Sequence, residues 1–337
     1  MRQLSPQLQY IQAFDRSLSG DMGVSIDGSN ASIPGDDQFH PNSGVSLTFP
    51  PLNPYGQRHW IDIFAQGSDG FSFNISTEPF VRLSQSSGTI FPIDNGTDIR
   101  IYVSIDWTNT PTGSGISRIN ITSSTDYGTQ FSSPYLLVPY NNTRVPPEVT
   151  SGFVESDATI AMEAEHYTSI ASATPSLTYT TIPNYGKTLS GVTLTDRNAP
   201  SLSTVTAPSL LYDFYTFTQT TETNPANISL IFSQSLNTNP KRPLRYALAI
   251  DDSPPSIVQY ISDRPKGGMP FGWEKAVTDA AWVSTTKFAL RQGKHVLRFW
   301  ALEPGVVLLR IVVDLGGVRK SYLGPGESWR VGVSGGR

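Results

Sequence analysis

From about residue 48 onward, apolar and polar side chains alternate one by one. Phe71, Phe73 and Ile75 are interleaved with Ser72 and Asn74, and Ile119 and Ile121 with Arg118 and Asn120. The longest run sets Ile99, Ile101, Val103, Ile105 and Trp107 against Arg100, Tyr102, Ser104 and Asp106. A period of two places each apolar set on one face of an extended chain, which predicts half-buried antiparallel strands. Pro50-Pro51, Gly67-Ser68-Asp69-Gly70, Asp94-Asn95-Gly96 and Pro111-Thr112-Gly113 punctuate them as turns. Short strands with such punctuation predict an immunoglobulin-like β-sandwich over residues 48–138.

Residues 1–47 lack this alternation. Gln7 to Leu18 fits a short amphipathic helix, after which Gly20, Gly23, Gly28, Pro34 and Gly35 keep the backbone turning. An irregular N-terminal segment is therefore expected. Prolines from Pro139 to Pro147 predict a linker over 139–150. Beyond it, residues 151–337 alternate again, in Ile228/Leu230/Phe232, Leu244/Tyr246/Leu248/Ile250, His295 to Leu302 and Val306 to Asp314. In the last run Val307, Leu309, Ile311 and Val313 are expected on one apolar face, with Arg310 and Asp314 opposite. Trp273 to Ala281 predicts one or two helical turns. The expected fold class is mainly β, with two sandwiches, the second of jelly-roll or galactose-binding-like type.

Composition narrows the functions open to such a chain. Of 337 residues, 38% are hydrophobic and 11% aromatic, enough to bury cores despite 28 glycines and 26 prolines. A formal charge of −4 with scattered Lys and Arg gives no basic field for nucleic acid. The most apolar stretch, Val296 to Val313, is cut by Arg298, Glu303 and Arg310, so no membrane helix is expected. Cysteine is absent, which removes disulfides and thiolate metal sites. Asn30, Asn74, Asn95, Asn120, Asn141 and Asn227 head N-glycosylation sequons. The opening MRQLSPQLQY lacks the apolar core of a secretory signal, so an extracellular location is expected only through a longer parent that carries one.

The search for catalytic chemistry is negative. No P-loop, dinucleotide fingerprint or zincin motif occurs. His40, His59, His166 and His295 are scattered and read as structural or surface histidines. The adjacent pairs Asp36-Asp37 and Asp251-Asp252 lie in Gly/Pro-rich turns, where neighbouring side chains diverge instead of flanking a glycosidic bond. Turn formation explains them better. Glu163 and Glu165, two apart on an expected strand, would share a face and repel unless a cation or an arginine sits between them. A structural calcium with Asp314 as third ligand is one reading, and a solvated pair with an arginine partner the other.

Aromatic side chains are the remaining candidates, because a π face matches the C–H face of a sugar ring. Among Trp60, Trp107, Trp273, Trp282, Trp300, Trp329 and Tyr185, the strand residues Trp107 and Trp300 are expected in cores. Trp273, in the loop Gly-Gly-Met-Pro-Phe-Gly-Trp, and Tyr185, in a turn-rich loop, are the candidate carbohydrate-binding residues.

Several separated motifs, in order, resemble one family. Gly20-Asp-Met-Gly-Val-Ser-Ile-Asp-Gly-Ser-Asn, Ile33-Pro-Gly, Val154-Glu-Ser-Asp and Met162-Glu-Ala-Glu-His-Tyr carry the likeness through the first half. Ile182-Pro-Asn-Tyr-Gly-Lys-Thr-Leu-Ser-Gly-Val and Val312-Val-Asp-Leu-Gly-Gly carry it through the second. Together they resemble the C-terminal region of glycoside hydrolase family 115, the xylan α-1,2-(4-O-methyl)glucuronidases. The resemblance implies that the catalytic residues belong to a preceding (α/β)-barrel, of which this sequence has no pattern. None is carried over, and the chain alone is expected to be inactive. The Met-Glu-Ala-Glu opening also resembles calcium-stabilised carbohydrate-binding jelly rolls, which adds weight to the cation reading at Glu163. The implied role is a non-catalytic accessory region, with glucuronoxylan, a homodimer mate or a missing catalytic domain as partners. A free-standing carbohydrate-binding or purely structural sandwich is the alternative.

Overall fold

A computed structural model describes residues 22–29, 31–33, 47–67, 70–91, 98–124, 130–131, 135–172, 176–263, 268–319 and 321–333. The helix expected over Gln7 to Leu18, together with Asn30, Asp36-Asp37, His40 and Asn95, lies outside them. The chain divides into two compact units: residues 1–52 with 58–142, and residues 53–57 with 143–337.

The first unit is built from β1 (Met22–Ile26), β2 (Ser32–Ile33), β3 (Leu47–Thr48), β4 (His59–Ala65), β5 (Phe71–Thr77) and β6 (Val81–Leu83). It continues with β7 (Ser87–Ile90), β8 (Asp98–Ile105), β9 (Gly113–Ser124), β10 (Gln130–Phe131) and β11 (Tyr135–Asn142). One sheet runs β2-β1-β4-β8-β6 and the other β3-β11-β9-β5-β7, with β10 beside β9. The alternating residues meet between them: Val24, Ile61, Ile63, Ile101 and Val103 from the first sheet, Phe71, Phe73, Ile119, Ile121 and Leu136 from the second. Trp107 follows the end of β8 and packs partly buried against this core.

Strand order extends this sandwich beyond the span read from the sequence. β1, inside the segment expected to be irregular, pairs with β4 along its whole length, Val24 opposite Ile63. Its alternation is short, and Gly23 leaves space that the Phe64 ring fills, for a Cβ there would sit 2.2 Å from that ring. At the other end β11 passes through Pro139 to Asn142, into the expected linker. Pro139 offers its carbonyl to the Leu52 amide, which needs no N–H from the proline.

The second unit begins with β12 (Gly152–Val154), β13 (Thr159–Glu163), a 3₁₀ turn (Ala164–His166), β14 (Ser169–Ala171), β15 (Tyr179–Ile182), β16 (Gly191–Leu194) and β17 (Ser209–Thr216). Next come β18 (Ala226–Ser233), β19 (Arg245–Ile250), β20 (Ser256–Gln259) and the single described α-helix α1 (Trp273–Thr278). The last strands are β21 (Ala281–Phe288), β22 (Gly293–Ala301), β23 (Leu308–Asp314) and β24 (Arg330–Val331). Sheets β20-β19-β22-β17-β12-β24 and β15-β16-β23-β18-β21 enclose an aromatic core in which Phe232, Tyr246, Tyr260 and Phe299 are in ring contact. The mainly β, two-sandwich class read from the sequence is the observed one.

One face assignment is corrected. The β18–β23 ladder shifts register, Ile231 lying opposite Arg310 but Phe232 opposite Leu308. This bulge sends Leu308, with Ile311 and Val313, into the core, while Val307 and Leu309 leave it and meet at Gly191. Trp300 is buried as expected, yet in a separate small cluster with Ala207, Ala247, Ala249 and Leu302.

Candidate functional site

The turn between β15 and β16 carries Tyr185 to the surface of the second unit. Asn184 holds φ at +55°, a left-handed conformation that asparagine tolerates better than most residues, and the Gly186 amide donates to the Leu189 carbonyl. Three contacts fasten this turn. The Tyr185 hydroxyl lies 3.0 Å from Ser233 Oγ, Lys187 Nζ donates to the Tyr322 carbonyl at 3.2 Å, and Thr188 Oγ1 donates to Glu163 Oε1 at 2.7 Å. Gly191 leaves the space that the Tyr185 ring occupies, since a Cβ there would come within 3.0 Å of Tyr185 Cδ1 and 2.8 Å of Val307 Cγ1.

The ring is 50% exposed and forms one wall of a pocket of about 370 Å³. Ile182, Val307, Pro304, Gly305 and Thr193 complete the lining, and Arg197 contributes the charge. Thr193 Oγ1 donates to the Val306 carbonyl at 2.9 Å, tying β16 to the β22–β23 turn. Beside Pro304, Glu303 is 1% exposed and accepts from Ser201, Arg242 and Arg245. A pocket with an exposed aromatic wall and a guanidinium is suited to a small polar ring.

The turn rests on a buried ionic cluster. Glu163 and Arg310 face each other across β13 and β23, with Oε1 3.4 Å from Nε and both side chains at least 94% buried. Burial raises the Glu163 carboxyl, opposed by the Thr188 hydrogen bond and the Arg310 charge. Burial likewise lowers the Arg310 guanidinium, against the pull of Glu163 and Glu327. The segment 321–329 crosses this cluster, and Arg310 donates to the carbonyls of Leu323 and Pro325. Glu327 Oε1 accepts from the Glu163 amide and lies 2.6 Å from His166 Nδ1.

The calcium expectation is not met by this geometry. β13 ends at Glu163, so Glu165 belongs to the 3₁₀ turn and does not share its strand face. Asp314 stands opposite Thr159, four residues along the ladder from Glu163, and its Oδ1 accepts the amides of Gly316 and Val318. No group of three His, Asp or Glu able to hold a metal ion occurs among the described residues. The cation beside Glu163 is Arg310, the arginine alternative in the sequence reading, now buried instead of solvated.

Other expected residues are placed as follows. Trp273 opens α1 half-buried, packed on the core with its ring centroid 6.2 Å from Trp282, so it is not a free platform. The most exposed aromatic of that loop is Phe271, at 92%. Asn74 and Asn120 are exposed on the outer face of one sheet, with Asn74 opposite Thr122 and Ser76 opposite Asn120, while Asn141 and Asn227 are half-buried. His59, His166 and His295 each lie within 3.0 Å of a carboxylate oxygen, of Asp27, Glu327 and Asp251 respectively. Asp251 sits in a turn at φ +52°, its carboxylate taken by His295 and the Val296 amide. Sequence reading missed Arg197, whose only signal was a charge in a Thr/Asp/Asn turn.

Fold and site define a β-sandwich chain with an aromatic-walled surface pocket. Its family is more specific: the profile of the glycosyl hydrolase family 115 C-terminal domain matches residues 152–327, and the chain belongs to that family. Among solved structures, a family 115 4-O-methyl-α-glucuronidase with specificity for decorated arabinogalactans is similar at 13% identity and a TM-score of 0.32. The match covers 44% of this chain and 17% of the length of that one. The C-terminal family 6 carbohydrate-binding module of a laminarinase from Zobellia galactanivorans is 9% identical, with a TM-score of 0.30 and coverage of 46% and 98%. A family 35 carbohydrate-binding module from Clostridium thermocellum is 13% identical, with a TM-score of 0.27 and coverage of 44% and 98%. No curated protein matches the sequence.

Proposed function

We propose that this chain is the non-catalytic, saccharide-holding C-terminal region of a family 115 glycoside hydrolase, acting beside a catalytic domain on glucuronoxylan. The half-exposed ring of Tyr185 on the wall of a pocket carries this reading. Three anchors fix the turn that carries the ring, so a sugar meets a wall already in place and little ordering cost remains on binding. A sugar stacked on the ring replaces water on its face while its hydroxyls meet the guanidinium of Arg197.

Affinity electrophoresis in glucuronoxylan gels tests the proposal. The intact chain is expected to be retarded, Tyr185→Ala to migrate as in a polysaccharide-free gel, and Trp273→Phe to remain retarded. Unretarded migration of the intact chain would overturn it. The same preparation is expected to release no methylglucuronic acid from xylan. Release would replace the accessory role with an enzymatic one.

A further inference from the structure

We infer that the Tyr185 pocket selects a single terminal sugar unit bearing a negative charge, and that Arg197 is the residue that reads this charge. The inference rests on the saccharide reading of the pocket and adds the class of unit it takes. Size comes first. At about 370 Å³ the site lies near the lower end of the range of about 300–1,000 Å³ for small-molecule pockets. A volume of that size is matched by a single sugar ring, which a branch tip or chain end presents.

Charge comes second. Arg197 is exposed at the pocket wall and forms no ion pair with any described residue. Its turn is set by Asp196, whose Oδ1 accepts the Asn198 amide at 2.8 Å. Glu303, next to the pocket residue Pro304, is already engaged by two guanidiniums, those of Arg242 and Arg245. Arg197 is the one charged residue among those that line the pocket, in a chain whose overall formal charge is −4. A planar guanidinium with free N–H groups pairs with two oxygens of an anion, a geometry that a neutral hydroxyl does not match. Tyr185 then supplies affinity for any sugar ring, and Arg197 supplies the discrimination.

A carboxylate (a uronic acid) and a sulfate ester both present this anionic chemistry, and titration calorimetry separates them. The full chain is titrated with a glucuronosyl-xylotriose, its carboxyl-reduced counterpart, xylotriose and a 6-sulfated glucose trisaccharide. The uronate ligand is expected to bind about tenfold tighter than its reduced form, the yield of one charge-assisted hydrogen-bonded pair. That preference is expected to weaken with added salt and to vanish in Arg197→Gln, which loses more affinity for the uronate ligand than for its reduced form. Tighter binding of the sulfated ligand, lost in the same variant, would support anion selection and assign the sulfate as its source. Equal affinity of the intact chain for charged and reduced ligands would overturn the inference and leave the saccharide site standing. Binding of none of the four would overturn both. Arg197→Lys separates charge from fork geometry, and is expected to keep only part of the preference.

Discussion

Glu163 and Arg310 are nearly water-free partners, and burial shifts each toward its neutral form against the attraction of the other. Such a pair contributes little net stability, but removing one partner strands the other. Here it also has a positional effect, because the free lobe of Glu163 Oε1 receives Thr188 and so fixes the turn that carries Tyr185. Glu327 on the overlying segment behaves differently. Burial pushes its carboxyl up, but the His166 hydrogen bond and charge, the Glu163 amide and Arg330 outweigh it and hold it below its ordinary 4.5. A depressed carboxyl contributes stability above its unfolded value and loses it as pH falls through the folded one. Glu163 and Glu155, both raised by burial, have the opposite sign and lose their contribution as pH climbs past 4.5. Melting curves of the intact chain and Glu327→Gln between about pH 6 and pH 3 are therefore expected to converge as the solution is acidified. A gap that stays constant with pH would show that Glu327 contributes no charge-linked stability.

At the level of strands and turns, the period-two pattern was enough to place most of both sandwiches. β5, β8, β9, β18, β19 and β22 all fall on runs such as Phe71/Phe73/Ile75 or Leu244/Tyr246/Leu248/Ile250. Two kinds of element escaped it. β1 has five residues including Gly23, too few to register as alternation, and its place comes from pairing with a strand more than thirty residues on. The bulge opposite Ile231 inverts Leu309 relative to the simple count, and no local signal in Val306 to Asp314 announces it. The site was legible in half. Tyr185 stood out as an aromatic in a Pro/Asn/Gly turn, whereas Arg197 gains meaning only once β16 and the β22–β23 turn are neighbours. Glycine at the start of β12 is a separate constraint. Gly152 has φ +111°, and a Cβ there would lie 2.7 Å from the Asp213 carbonyl oxygen, a backbone atom that cannot swing aside. Gly152→Ala is expected to lower stability by about 1–3 kcal/mol in denaturant titration, from left-handed strain and the β12–β17 contact together. A change within a few tenths of a kcal/mol would show that the start of β12 relaxes freely.

At the level of the whole chain, the second unit is assembled from two stretches of sequence. Residues 53–57 belong with it although they fall between β3 and β4 of the first unit. Tyr55 stacks on Phe217 at 5.9 Å and 19°, its hydroxyl accepts the Val145 amide, and Asn53 Nδ2 donates to the Glu155 carbonyl. A fragment of residues 143–337 is thus expected to melt lower than the second unit within the full chain, and Tyr55→Ala in the full chain to reproduce much of the loss. Identical melting of fragment and full chain would show those five residues to be dispensable. The five-residue detour has a further consequence for how this protein can be inherited. A module closed at both ends of one contiguous stretch can be copied, fused or traded by a single recombination event. Cut at residue 143, this one would arrive without residues 53–57, so only a transfer that carries both sandwiches passes the second unit on whole.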